Sequence, residues 1–209
     1  EATLAQAQRA GRLQVVAIVL AAALAGVLGA AAWRHRRTSR TMRTLAMTDE
    51  LTGLPNRRAA LAQLAALLEG GRTCAALIVD IDHFKAINDR HGHLVGDEVL
   101  RAVAATLAAE LRGTMSAGRL GGEEFLVLIP ETGLEAALQS AERLRTAVAR
   151  LDTSRWFGSG TISASVGVAI AHPGPDGVAD VLRRADEALY AAKAAGRDRV
   201  HAGKPVRVA

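Results

Sequence analysis

The sequence predicts a mixed α/β domain, a partly antiparallel sheet with helices packed on it, preceded by one membrane-spanning helix. Three observations carry this. Residues 13–33 form an apolar run without a charge. From residue 48 onward, short apolar runs of strand length alternate with longer segments of helical period, the pattern of a sheet covered by helices. Finally, "SAGRLGGEEFLVLIP" (116–130) holds two such runs around a pair of glycines, a hairpin that makes the sheet partly antiparallel.

At 209 residues the chain has room for one ordinary domain and an appendage. Half of it is apolar but only 3 % is aromatic, and its many alanines and leucines favour helix. The single cysteine, Cys74, excludes an internal disulfide framework and a cysteine-rich zinc site. It reads as a small buried apolar residue. The net charge is +5, but the basic residues gather beside the apolar run, so no nucleic-acid partner is expected. The sequence opens on Glu1 rather than Met, and residues 1–12 are read as the end of an upstream region that includes a sensor.

The run "LQVVAIVLAAALAGVLGAAAW" (13–33) reaches roughly 30 Å as a helix, the thickness of a hydrocarbon core. A signal peptide would have a shorter apolar region. Arg9 and Arg12 precede it; Arg34, Arg36, Arg37, Arg40 and Arg43 follow it. The positive-inside rule then places the C-terminal part in the cytoplasm, on a single-pass protein of the inner membrane. Residues 34–47 contain neither Pro nor Gly and are read as a basic helical connector.

In the domain, 48–203, "TGLPN" is a turn broken by Gly53 and Pro55, and apolar residues at 61, 64, 65 and 68 mark a helix face that Gly70 and Gly71 end. "CAALIVDID" (74–82) is a buried strand ending in carboxylates. "HFKAINDRHG" and "HLVGDEVLRAVAATLAAELRG" are two helices split at Gly92. After the hairpin come a helix over 133–151, a strand over 160–173 and a last helix over 177–197, closed by Gly196. Residues 204–209 are a tail.

The chemistry gathers at strand ends. Asp80 and Asp82 fall on one face of the first strand, since side chains alternate. Glu123 and Glu124 lie in the hairpin. If the hairpin strand pairs with the first strand, four carboxylates meet at one edge and repel unless cations neutralise them. Hard, oxygen-liganded Mg²⁺ fits such a place when substrate phosphates complete its shell. Two such metals suit in-line nucleotidyl displacement. Gly121 and Gly122 give the backbone room for a bulky ligand.

Together, "DELTGLPNRR", "DIDHFKAINDRHGHLVGDEVL", "RLGGEEF" and "ADEALYAAKAAGRDRV" resemble the ordered motifs of the GGDEF family, the diguanylate cyclases, with the signature in its Glu variant. The resemblance covers about residues 48–201. It implies a palm-like, nucleotidyl-cyclase-like fold and the condensation of two GTP into cyclic di-GMP with loss of two pyrophosphates. It also implies Mg²⁺, or Mn²⁺ in its place, and a homodimer whose facing half-sites each hold one GTP. Residue by residue, it makes Asp80, Glu123 and the Ile81 carbonyl metal ligands, Glu123 also the catalytic base, and Glu124 a second ligand or positioning group. Asn88 and Asp97 read guanine, and His93 is a substrate contact. Lys85, Lys193 and Arg197 bind phosphate, as do the backbone N–H groups of His83 and Phe84.

One departure stands out. Relatives with product inhibition carry "RxxD" shortly before the signature, whereas this chain reads "RGTM". Arg112 is kept, but Met115 has no carboxylate with which to accept strong hydrogen bonds. The competing reading is a catalytically silent module that binds GTP or cyclic di-GMP. The intact carboxylates favour the enzyme.

Overall fold

The computed structural model describes residues 47–158, 160–174 and 176–203. The expected membrane helix (13–33), all but the last residue of the connector and the tail lie outside these residues. Among the described residues no helix is long and apolar enough to cross a membrane.

A five-stranded sheet in the order β2-β3-β1-β4-β5 forms the centre. The strands are β1 (Cys74–Ile81), β2 (Ser116–Gly121), β3 (Glu124–Pro130), β4 (Ala164–Ala171) and β5 (Val200–Ala202). β1 is flanked by antiparallel β3 and β4, so all eight of its residues are buried. That is why it reads as a continuous apolar run rather than an alternating one. β2 and β3 form the expected antiparallel hairpin, while β5 runs parallel to β4.

The pleat sorts the strand residues onto two helical layers. Ala75, Leu77, Val79 and Ile81 join one core with α2 (Phe84–His91), α3 (His93–Glu110) and α4 (Leu134–Ala149). Cys74, Ala76 and Ile78 join a second core with α1 (Arg57–Glu69) and α6 (Val178–Ala194). By the same alternation Asp80 belongs to the α6 layer. Asn56 caps α1, its side chain accepting a hydrogen bond from the Ala59 N–H at 3.1 Å.

Two elements go beyond the sequence reading. A four-residue helix, α5 (Ser154–Phe157), sits between α4 and β4, and β5 adds three residues at the sheet edge. Both are too short for a periodic pattern to register. β4 starts at Ala164, four residues later than expected, because its ladder partner β1 ends at Ile81, which pairs with Ala164.

Candidate functional site

The site forms where β1 ends. Antiparallel pairing sets Asp80 opposite Glu124 on one side and opposite Ser165 on the other. The Ile81 N–H donates to the Glu123 carbonyl at 3.4 Å, tying the signature turn to the strand. Gly121 (φ +143°) and Gly122 (φ +53°) adopt backbone that favours glycine, and nothing lies within 4 Å of where a Cβ would stand. The glycines thus make the turn and leave its outer side open.

Asp80 is only 4 % exposed. Lys193 Nζ, from α6, lies 2.8 Å from its Oδ2. Burial pushes the Asp80 carboxyl up to about 6; the hydrogen bond and charge of Lys193 oppose that shift, and the charges of Glu123 and Glu124 add to it. Three carboxylates therefore converge closely enough to feel one another. Yet among the described residues no group of three or more His, Cys, Asp or Glu side chains is gathered into a ready metal cage.

The fourth carboxylate departs from expectation. Asp82 accepts hydrogen bonds from Ser163 Oγ and Ser165 Oγ, each at 2.7 Å, and from the Asp198 N–H at 3.0 Å. Its charge is compensated by hydroxyls and an amide rather than by a cation, and it locks the β1 end to β4 and to the turn after α6. The backbone continues the lock, with the Asp82 N–H donating to the Ser163 carbonyl at 2.9 Å.

Beyond Asp82 the chain turns through His83, whose φ of +56° is left-handed, into α2. His83 and Lys85 are exposed, whereas Phe84 is buried in the core at 7 %. Asn88 lies one turn further. Its Oδ1 is a buried side-chain oxygen without a hydrogen-bond partner, the sole such atom among the described residues. It packs against Gly96 of α3, where an added Cβ would stand 1.9 Å from that oxygen. His93 opens α3 on the exposed side, and Asp97, half-buried, follows Gly96 directly. The backbone carbonyl of Asn88 is used by the Gly92 N–H at 2.8 Å, so the unpaired atom is the side-chain oxygen.

Lys193 joins the site through Asp80. Arg197 sits in the turn after α6 at φ +62°, beside Asp198, which pairs with Arg145 at 2.5 Å. Arg112 is exposed on the α3–β2 turn, away from these groups in the chain. Its N–H donates to Met115 Sδ at 3.4 Å, and the Met115 side chain packs against the core.

Sequence reasoning passed over Arg119. Its guanidinium donates from Nε (3.0 Å) and Nη2 (2.7 Å) to the Gly122 carbonyl, and from Nη1 to Asp49 Oδ1 at 3.1 Å. Asp49 also accepts from Thr52 N–H and Oγ, at 2.9 and 2.6 Å. The burial of Asp49 works against ionisation, but the Thr52 and Arg119 contacts outweigh it and hold its carboxyl below the usual range. The signature turn is therefore held from the N-terminal edge of the domain. The only sequence signal was the position of Arg119 inside "RLGGEEF".

Residues 46–199 match the family described as "Diguanylate cyclase, GGDEF domain", and the chain belongs to that family. Among curated relatives, the response regulator PleD of Caulobacter vibrioides is 43 % identical over 162 residues, covering 75 % of this chain and 36 % of PleD. The diguanylate cyclase DgcP of Pseudomonas aeruginosa is 46 % identical over 163 residues, 76 % of this chain and 24 % of DgcP. The chain thus spans about a third of one and a quarter of the other. The solved coiled coil and GGDEF domain of DgcB from Caulobacter crescentus, in complex with c-di-GMP, is similar at a TM-score of 0.76 and 36 % identity, covering 88 % of this chain and 99 % of that one. The active GGEEF domain of a diguanylate cyclase from Vibrio cholerae gives 0.67 and 35 %, covering 73 % and 99 %. The mixed α/β fold is thus the nucleotidyl-cyclase-like fold of GGDEF domains.

Proposed function

We propose that this chain is a diguanylate cyclase, anchored in the inner membrane by residues 13–33, that condenses two GTP into cyclic di-GMP and two pyrophosphates. The observation that carries the reading is the register of β1 and β3. It sets Asp80 opposite Glu124 and joins Ile81 to Glu123, beside a helix whose Asn88 amide oxygen has no partner.

The donor set fits a divalent cation. Three carboxylates and the Ile81 carbonyl are hard oxygen donors; burial chiefly raises the Asp80 carboxyl, and the charges of Glu123 and Glu124 add to that. Asp80, Ile81, Glu123 and Glu124 would hold Mg²⁺ or Mn²⁺, which would supply positive charge against the triphosphate. Phosphate oxygens of the substrate would supply the remaining donors.

The chain's own groups do the rest. Asn88 and Asp97 bond the guanine edge, which turns the cost of the orphaned amide into selectivity, because a base with the wrong edge leaves it unpaired. The α2 N-terminus offers the N–H groups of His83 and Phe84 to phosphate oxygens, where the helix dipole favours anions. Lys85, Lys193 and Arg197 add positive charge, Lys193 turning from Asp80 to phosphate. Glu123 takes the proton from the attacking 3′-hydroxyl as its oxygen bonds the α-phosphorus of the other GTP and pyrophosphate leaves. Each subunit holds one GTP, so the reaction needs two subunits face to face.

The test is product analysis of wild type and Glu123→Gln with GTP and Mg²⁺. The substitution keeps size and removes charge, and cyclic di-GMP formation should fall by at least about 10²-fold, the scale of one proton-transfer group. Near-wild-type production by a folded Glu123→Gln protein would overturn the assignment.

A further inference from the structure

We infer that the aromatic pair Trp156–Phe157 acts as a positioning brace for guanine recognition, setting the spacing of Asn88 and Asp97; this rests on the nucleotide reading above. The pair forms the end of α5, the short helix in the α4–β4 connection. Trp156 Nε1 donates to Glu98 Oε2 at 2.8 Å, and Glu98 is the neighbour of Asp97 on α3. The Phe157 ring lies 4.8 Å from the ring of His91, the last residue of α2 and one turn beyond Asn88. The two aromatic rings are 6.0 Å apart, so they form one unit touching both helices.

The tie adds to the packing of Asn88 and Phe84 of α2 against Gly96 of α3. The two helices are joined by Gly92 alone, at φ +84°, and their relative angle decides how far Asn88 stands from Asp97. Through Ala86, Ile87, Arg90 and His91, α2 lines a cavity of about 310 Å³. Phe157 stands at one wall of that cavity, against His91 at the end of the helix. The brace itself is well held. Thr153 Oγ1 donates to the Gly160 carbonyl at 2.5 Å, closing the segment on itself, and the Trp156 N–H donates to the Thr153 carbonyl at 2.9 Å. The Arg155 guanidinium lies 4.3 Å from the Trp156 ring centre and covers that ring. Both aromatic side chains also pack against the core. Neither residue touches the carboxylate cluster, so their effect is on base recognition and not on the chemical step.

The experiment measures binding by the full 209-residue chain of α,β-methylene-GTP, which cannot release pyrophosphate, and of its inosine counterpart, which lacks the exocyclic amine. Thermal melting is followed alongside. Wild type should prefer the guanine analogue. Trp156→Phe, which keeps a ring and loses the hydrogen bond, and Phe157→Ala should each weaken the guanine analogue by about 5- to 20-fold, a hydrogen bond or ring contact's worth. The inosine analogue should weaken less, so the preference narrows, and in Trp156→Phe it does so with melting within a few degrees of wild type. Phe157→Tyr, which keeps the ring contact, should restore the preference. Unchanged binding of both analogues in Trp156→Phe and Phe157→Ala would overturn the brace and leave the cyclase reading standing. An equal loss of both analogues with lowered melting would assign the pair a purely structural role and overturn it too. Failure of wild type to bind either analogue would remove the nucleotide reading, and the brace with it.

Discussion

Replacing Gly96 by alanine should separate guanine recognition from stability. Gly96 is buried within α3 in ordinary helical backbone, and alanine there normally gains about 0.5–1 kcal/mol through helix propensity. The new methyl, however, would stand 1.9 Å from Asn88 Oδ1, 3.0 Å from its Cγ and 3.3 Å from Phe84 Cζ. The oxygen must retreat by roughly 1.5 Å to reach van der Waals separation, and it lies at the end of a rotatable side chain, so it turns away at little cost to the fold. Losing its proposed bond to the base is worth about 1–3 kcal/mol, or roughly 5- to 150-fold in affinity. Steady-state kinetics with GTP should therefore show KM raised about ten- to a hundred-fold. The melting temperature should stay within about 4 °C of wild type. An unchanged KM in a folded Gly96→Ala protein would refute the role given to Asn88, and a large fall in melting temperature would refute the claim that Asn88 yields.

Asp80 makes stability depend on pH when divalent cations are chelated. Burial raises its folded carboxyl from the ordinary 3.8 to about 6, so the ionised form costs stability above pH 6 and the cost fades as pH falls toward 4. Between pH 7 and pH 5, urea unfolding should show wild type gaining about 1 kcal/mol relative to Asp80→Asn; a gap that widens instead would contradict the burial argument. Arg119→Ala should loosen the signature turn by removing both bonds to the Gly122 carbonyl, lowering kcat by about tenfold or more while melting changes little. Product feedback at Arg112 should be weak, since the Met115 thioether packs inward, and initial rates should barely respond to added cyclic di-GMP. Met115→Asp should increase the response, and strong inhibition of wild type that survives Arg112→Ala would place the sensing elsewhere.

How far the sequence foretold this site depends on chain distance. The β1 strand, its terminal Asp80, the hairpin and the split at Gly92 all rest on patterns within some fifteen neighbouring residues, and the structure has them. Asp82 did not yield to the same reading. Its compensating donors lie 81, 83 and 116 residues away, so only tertiary structure shows that it is a fastener and not a free ligand. Arg119 reaches 70 residues back to Asp49, again invisible to local pattern. Asn88 and Asp97 were reached through family resemblance. The local pattern holds a helix, a glycine and another helix, and only packing shows the Asn88 side chain seated against Gly96. The brace escaped because α5 is barely one turn long. The apolar run at 13–33 remains a reading of the sequence.

The central claim is that two facing half-sites, one GTP in each, carry out the condensation. The most direct measurement follows cyclic di-GMP and pyrophosphate together while the wild-type chain turns over GTP with Mg²⁺ across a range of protein concentrations that spans monomer and dimer. Two pyrophosphates should appear for each cyclic di-GMP, with specific activity rising as dimer forms. Pyrophosphate without cyclic di-GMP, GTP hydrolysed to GDP and phosphate, or full specific activity from verified monomer would contradict that claim.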